Sequence, residues 1–206
     1  MRQPAALALV GIGAFLVPAS AAASTWEIDP AHSSIEFSVK HMMVTTVKGL
    51  FEKVKGTVDL DEKDLAKSTV DVTIDLASVN TRNQKRDAHL RSADFFEVEK
   101  FPTATFRSTK IQKVGKNRLK VHGDLTLHGV TKPVVLDVDG PSSPNQTPYG
   151  TMVRGVHATT KLDRKDFGLT WNKTLDSGGV LVGNEVALDF NVEIVAKPAT
   201  AAKPAR

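Results

Sequence analysis

Polar and apolar residues alternate with a period of two along most of the chain. Ile35, Phe37 and Val39 alternate with Glu36, Ser38 and Lys40, and Val70, Val72, Ile74 and Leu76 with Asp71, Thr73, Asp75 and Ala77. Val186, Leu188, Phe190, Val192 and Ile194 repeat the pattern against Ala187, Asp189, Asn191 and Glu193. Side chains two apart in an extended chain share a face, so each segment is a strand with one side toward a core and the other toward water. The same reading predicts strands within Val47–Leu60, Thr103–Val114, Arg118–His128, Pro133–Asp139 and Met152–Asp163. Gly115-Lys116-Asn117 and His128-Gly129-Val130 read as hairpin turns. Alternation stops at Thr81–Arg91, where Thr81-Arg82-Asn83-Gln84 fits the Ser/Thr-x-x-Gln capping box of a helix start. A second short turn follows over Ser92–Glu97. About eight one-sided strands fit either a two-sheet sandwich or a closed up-and-down barrel, with the helix covering one end.

Both chain ends depart from this pattern. Arg2 is followed by an apolar run, Ala5 to Val17, then by Pro18 and the small residues Ala21-Ala22-Ala23. That is the layout of an export signal cleaved after about Ala23, and the run is shorter than the roughly 20 residues of a spanning helix. No acceptor Cys follows it, so the expected address is the periplasm, without a lipid anchor. Lys197–Arg206 is a Pro/Ala/Lys tail of disordered composition. The expected organisation is a signal at 1–23, one domain at 25–196 and a tail at 197–206.

Composition then narrows the chemistry. None of the 206 residues is Cys, which excludes disulfides, thiolate metal sites and cysteine nucleophiles. A formal net charge of +4, dispersed along the chain, gives no basis for a nucleic-acid partner. Aromatics are 6%, and the polar faces carry Asp, Glu and Lys, which excludes an outer-membrane barrel with its apolar outside and aromatic girdles.

If Arg82–Leu90 is helical, Arg82, Arg86 and His89 share one face, and the like charges four apart invite an anionic head group. The alternative is an Arg86 paired to a carboxylate on a neighbouring strand, anchoring the helix. The histidines His32, His41, His89, His122, His128 and His157 form no compact metal motif, although His122 and His128 share a strand face by parity. Ser33 and Ser34 beside His32 lack the strained turn of a nucleophile. Asp59, Asp61, Glu62 and Asp64 read as solvated loop acids. Arg107, Lys110, Lys113, Lys116, Arg118 and Lys120 form a stretch with no acid, either a membrane-surface contact or a set of charges guarding strand edges. Gly140–Gly150 is an exposed Pro-rich loop, and Phe167, Leu169 and Trp171 are core or lid.

Five segments carry a resemblance. Asp29-Pro30-Ala31-His32-Ser33-Ser34-Ile35-Glu36-Phe37-Ser38-Val39-Lys40-His41 resembles the opening strand of the YceI family. Arg86-Asp87-Ala88-His89-Leu90 with Asp94-Phe95-Phe96, Lys100-Phe101-Pro102-Thr103-Ala104-Thr105-Phe106, Gly123–Pro133 and Leu162–Leu169 match in order. The resemblance spans roughly residues 25–196. It implies a lipocalin-like antiparallel eight-stranded β-barrel, with one or two short helices near a barrel end and an apolar channel for a long-chain isoprenoid lipid. A polyprenyl compound or quinone is the implied ligand; a fatty acid or fatty amide is the alternative, and an enzyme acting on such a lipid a third reading. The expected channel wall is Ile35, Phe37, Val39, Val70, Val72, Ile74, Leu76, Phe106, Val121, Leu125, Val186, Leu188, Phe190 and Val192, with Arg82, Arg86 and His89 at the head group. No catalytic residue, metal or cofactor beyond the lipid is expected, and a homodimer is a further partner expectation. About a dozen buried methylenes contribute roughly 10 kcal/mol gross before ordering costs, so affinity needs no elaborate polar site. The same residues would also make an ordinary packed core, and periodicity alone does not separate the two.

Overall fold

A computed structural model describes residues 24–176 and 178–197. The expected signal, and all of the expected tail beyond Lys197, lie outside the described residues. The strand segments are β1 (Ser24–Ile28), β2 (Ser34–His41), β3 (Thr45–Phe51), β4 (Val54–Leu60), β5 (Thr69–Asp75), β6 (Val79–Asn80), β7 (Thr103–Lys113), β8 (Arg118–Leu127), β9 (Val130–Asp139), β10 (Asn145–Gln146), β11 (Met152–Asp163) and β12 (Val182–Ala196), with one helix, α1 (Gln84–Arg91). β1 and β2 are two halves of one bent strand, and so are β3 and β4. β12 pairs with β1 and β2 on one side and with β11 on the other, which closes the sheet into an antiparallel barrel of eight strands. β11 and β12 pair along their length from Val153↔Val195 to Asp163↔Glu185, whereas β9 meets β11 only from Asp137 to Asp139.

The two-residue period sets the faces. Ile35 and Ile194 are each 1% exposed, while Glu36 and Glu193 next to them face outward. A bulge between Ser108 and Lys110 shifts the parity of β7, so that Ile111 rather than Lys110 points inward. The Ser108 hydroxyl accepts from the Val70 N–H at 2.8 Å there, supplying a ladder acceptor. The His128-Gly129 turn has both residues at positive φ (52° and 74°), the two-residue hairpin geometry that follows strand twist. His128 therefore leaves the strand and shares no face with His122.

The helix starts later than the capping box predicts. Asn83 is the N-cap, its side chain accepting from the Arg86 N–H, and Gln84 is already the first helical residue. Thr81 is drawn instead into a buried polar knot: its N–H and hydroxyl both donate to Asp87 Oδ1, at 2.9 and 2.5 Å. Arg82 lies outside the helix with φ 61°. Arg91 ties the other helix end down by donating to the Ala77 and Val79 carbonyls, both at 2.7 Å. Through these contacts α1 and the turns after it sit across the end of the barrel where β5, β6 and β7 meet.

Candidate functional site

The buried apolar residues form two clusters rather than one. Trp26, Ile28, Ile35, Leu60, Leu76 and Ile194 belong to one wall; Phe106, Val121, Val134, Ala158 and Phe167 belong to the facing wall. A filled domain interior is normally one contiguous cluster. Between the walls runs a cavity of about 270 Å³. Ser68, Thr160 and Arg164 are the polar residues of its lining. The Ser68 hydroxyl accepts from the Asp61 N–H at 3.0 Å, and Thr160 donates to the Val135 carbonyl at 2.9 Å. Arg164 donates from Nε to the Gly183 carbonyl at 2.9 Å and from Nη1 to the Leu169 carbonyl, and burial pushes its guanidinium below its usual pKa. With those groups engaged by the protein, the chamber offers a guest apolar surface.

One end of the barrel is shut by a buried cation. Arg154 points inward from β11, lies 5.0 Å from the Trp26 ring, and donates to the Ser142 carbonyl and to Glu62 Oε1, at 3.0 and 2.5 Å. Glu62 is thus more than a solvated loop acid: the 61–68 loop brings it over the barrel end, where it neutralises a guanidinium that burial would otherwise leave unpaired. At the other end, Val39, Val182 and Val186 of the wall are partly exposed beside α1, and we take this end as the mouth of the chamber. Leu90, Phe95 and Phe96 from α1 and its following turns roof part of this mouth. Trp171 packs on His89 and Phe95, with ring centroids 4.8 and 5.2 Å apart. Phe167 and Leu169 are core residues, 2% and 5% exposed.

Every wall residue expected from the sequence, from Ile35 on β2 to Val192 on β12, lines this cavity. The expected group of Arg82, Arg86 and His89 does not assemble, because Arg82 precedes the helix. Arg86 spends Nε on the Thr81 hydroxyl and Nη2 on the Thr81 carbonyl, both at 2.8 Å, and His89 Nε2 is 2.8 Å from Asp94. Periodicity passed over the inward face of β11, where Arg154 and Thr160 interrupt Val156, Ala158 and Leu162; parity within the predicted strand would have found it. Three of the six cations from Arg107 to Lys120 are paired across strands. Arg107 pairs with Asp71 at 2.9 Å, Lys120 with Asp137 at 2.7 Å and Arg118 with Asp139 at 3.7 Å. On the outer surface Asp29, His32 and Glu193 converge, the first two joined at 2.8 Å. Asp29 holds the His32 imidazole above its usual pKa, and His32 with the Ala31 N–H holds Asp29 below its own.

Known proteins share both sequence and barrel. The family model described as a YceI-like domain matches residues 26–194. A UPF0312 protein of Vibrio cholerae is 41% identical over 166 residues, covering 79% of this chain and 87% of that protein. One from Staphylococcus aureus is 36% identical over 170 residues, covering 82% and 96%. Among solved structures, BcnA of Burkholderia cenocepacia superposes with a TM-score of 0.69 at 25% identity, covering 81% of this chain and 98% of that one. The Campylobacter jejuni YceI protein gives 0.65 at 34% identity, covering 77% and 90%. A polyisoprenoid binding domain from Saccharophagus degradans, at 20% identity and a TM-score of 0.61 over 85% of this chain and 99% of that one, shares the fold. With the model match running from Trp26 on β1 to Ile194 on β12, the whole described barrel is covered, and the chain belongs to the YceI family.

Proposed function

We propose that this protein binds and carries or stores an isoprenoid lipid, a polyprenyl compound or quinone, in its barrel. The carrying observation is the apolar cavity between two separate core clusters, with the polar groups of its lining engaged elsewhere. A cavity of about 150 Å³ takes one benzene, so about 270 Å³ holds roughly eleven carbons, or two isoprene units. Burying them contributes roughly 9 kcal/mol gross, enough for a useful complex after ordering costs. A longer chain leaves its remainder and its polar end at the mouth. The Saccharophagus degradans domain is a precedent for this fold with such a ligand; for this chain the claim rests on the chamber.

Binding is favoured over catalysis because the polar side chains of the lining, Ser68, Thr160 and Arg164, are hydrogen-bonded to the protein's own backbone, leaving an apolar chamber. The sequence layout supports export to the periplasm, and among the described residues no helix is long and apolar enough to cross a membrane. With three of its cations paired, the hairpin from Arg107 to Lys120 serves solubility rather than membrane contact. Native mass spectrometry of protein purified from its own host, followed by extraction, tests the proposal. A stoichiometric isoprenoid supports it; a fatty acid or amide transfers the chamber to that class; a barrel with no lipid overturns it.

A further inference from the structure

Beside the mouth, the β2–β3 turn breaks two rules at once. Met42 and Met43 both have positive φ (51° and 61°), and the Val44 N–H closes the turn on the His41 carbonyl at 3.1 Å. This geometry is met without strain by Asn-Gly; side chains other than Gly, Asn and Asp resist it. The same side chains stand in water: Met42 is 43%, Met43 67% and Val44 84% exposed. Of the six large hydrophobics exposed among the described residues, three are thus consecutive in one strained turn. Neither folding nor solubility accounts for that choice. Strain maintained at an exposed position points to function, and flexible methionines suit an adaptable apolar contact.

The surroundings say what the contact is. The Met42 N–H donates to the Leu181 carbonyl at 2.8 Å, and Met43 lies against Gly179, so the bridge of Thr174 with Val180 stands beside the turn. Val39 and Val182, just behind it, line the cavity. Lys40 and Lys173 lie behind the apolar tip, exposed and without an ion pair among the described residues. Asp176 is the one acid in residues 40–48 and 172–182. An apolar point reaching about 5–10 Å into a bilayer, with lysines at head-group level, is the arrangement of a peripheral contact with anionic lipid.

We propose that the Met42-Met43-Val44 tip is a bilayer-docking point that sets the mouth of the chamber against an anionic lipid surface, where the ligand is loaded or released. This rests on the lipid-carrier reading, and the test keeps the two apart. The protein is mixed with vesicles of phosphatidylethanolamine and phosphatidylglycerol, or of phosphatidylcholine alone, and bound protein is measured by flotation. The variant M42N/M43G gives the turn the residues its geometry prefers, so it folds at least as stably. It should float with the anionic vesicles about tenfold less or lower still. K40Q and K173Q should each lose about fivefold on the anionic vesicles and little on phosphatidylcholine. Binding by M42N/M43G equal to that of the parent overturns the proposal. So does a tip-dependent dimer in sedimentation velocity without vesicle binding, which would make the tip a contact between copies. Tip-dependent flotation of a protein that carries no isoprenoid keeps the docking point and overturns the carrier reading; bound isoprenoid with no flotation does the reverse.

Discussion

Filling the chamber with protein distinguishes a ligand site from a core. Ala158 lies on the inward face of β11, 6% exposed, between Val138 on β9 and Phe190 on β12. Ala158→Phe adds a phenyl ring, and a ring of that size takes up about 150 Å³. Some 120 Å³ of the original 270 Å³ would remain, room for about five carbons instead of eleven. Six carbons fewer removes about 5 kcal/mol of gross ligand burial, more than a thousandfold in affinity. The folded protein responds in the opposite direction. Cavity filling commonly adds about 0.5–2 kcal/mol, or roughly 1–8 °C in Tm for a chain of this size. A filled interior would instead lose about 1–3 kcal/mol to overpacking. The assay pairs thermal unfolding of delipidated protein, since bound ligand itself raises Tm, with native mass spectrometry of protein from the host. A Tm that is unchanged or raised, together with loss of bound lipid, is expected. A lowered Tm with lipid retained would refute the reasoning.

Four other changes have defined outcomes. Asp87→Ala leaves both Thr81 donors buried without an acceptor, which costs about 3 kcal/mol and roughly 6–12 °C in Tm; Asp87→Asn, read in the same melt, recovers part of it. Glu62→Ala strips Arg154 of its carboxylate at the shut end and costs about 1–2 kcal/mol in a urea titration, less than a fully buried pair because Glu62 is itself 52% exposed. Gly123→Ala puts a Cβ 2.4 Å from the Phe106 ring and 2.5 Å from the Arg107 carbonyl, so it lowers Tm and pushes the ring into the chamber, seen as reduced lipid occupancy. The Asp29–His32 pair gives a pH dependence with opposite signs on its two sides. His32, raised above 6.5, contributes fully below that pH and is lost as pH rises through its folded value; Asp29, lowered below 3.8, contributes above that pH and is lost as pH falls through its folded value. His32→Gln should therefore flatten the decline of Tm above about pH 6.5, and an NMR titration placing the His32 pKa at or below 6.5 in the parent would contradict it.

The staves of the barrel were readable because half-buried strands impose a period of two that nothing else in the chain imitates. β11 occupies the predicted Met152–Asp163 without displacement. What periodicity missed are features made by contacts across the fold. β1 is short, and its Trp26 packs into the wall with Arg154, distant in sequence, against its ring. Thr81 has the chemistry of an N-cap, but Asp87 competes for it from one helical turn in, and Asn83 takes the cap. The basic stretch looked uncompensated because its acids, Asp71, Asp137 and Asp139, sit on neighbouring strands. Alternation is local; salt bridges, caps and plugs belong to the register, which one strand alone does not contain.

The same distinction explains how the chamber stays open. A sequence poor in aromatics leaves room in a lumen, yet Phe37 and Phe106 both point inward and either could fill it. Each has a glycine close by on the adjacent strand. Phe37 lies directly opposite Gly49, and its ring occupies the space that a Cβ there would need, 2.5 Å from the ideal position. Phe106 does the same over Gly123 on β8. The glycines let the rings lie against the wall, where they pack over backbone that would otherwise be bare, instead of crossing the lumen. Two strands that would be weaker for containing glycine are thus covered by the aromatics, and the volume the rings vacate is the volume available to a guest. The capacity of the chamber therefore depends as much on these two small residues, which contribute no side chain to its lining, as on the aliphatic wall that the alternation predicts.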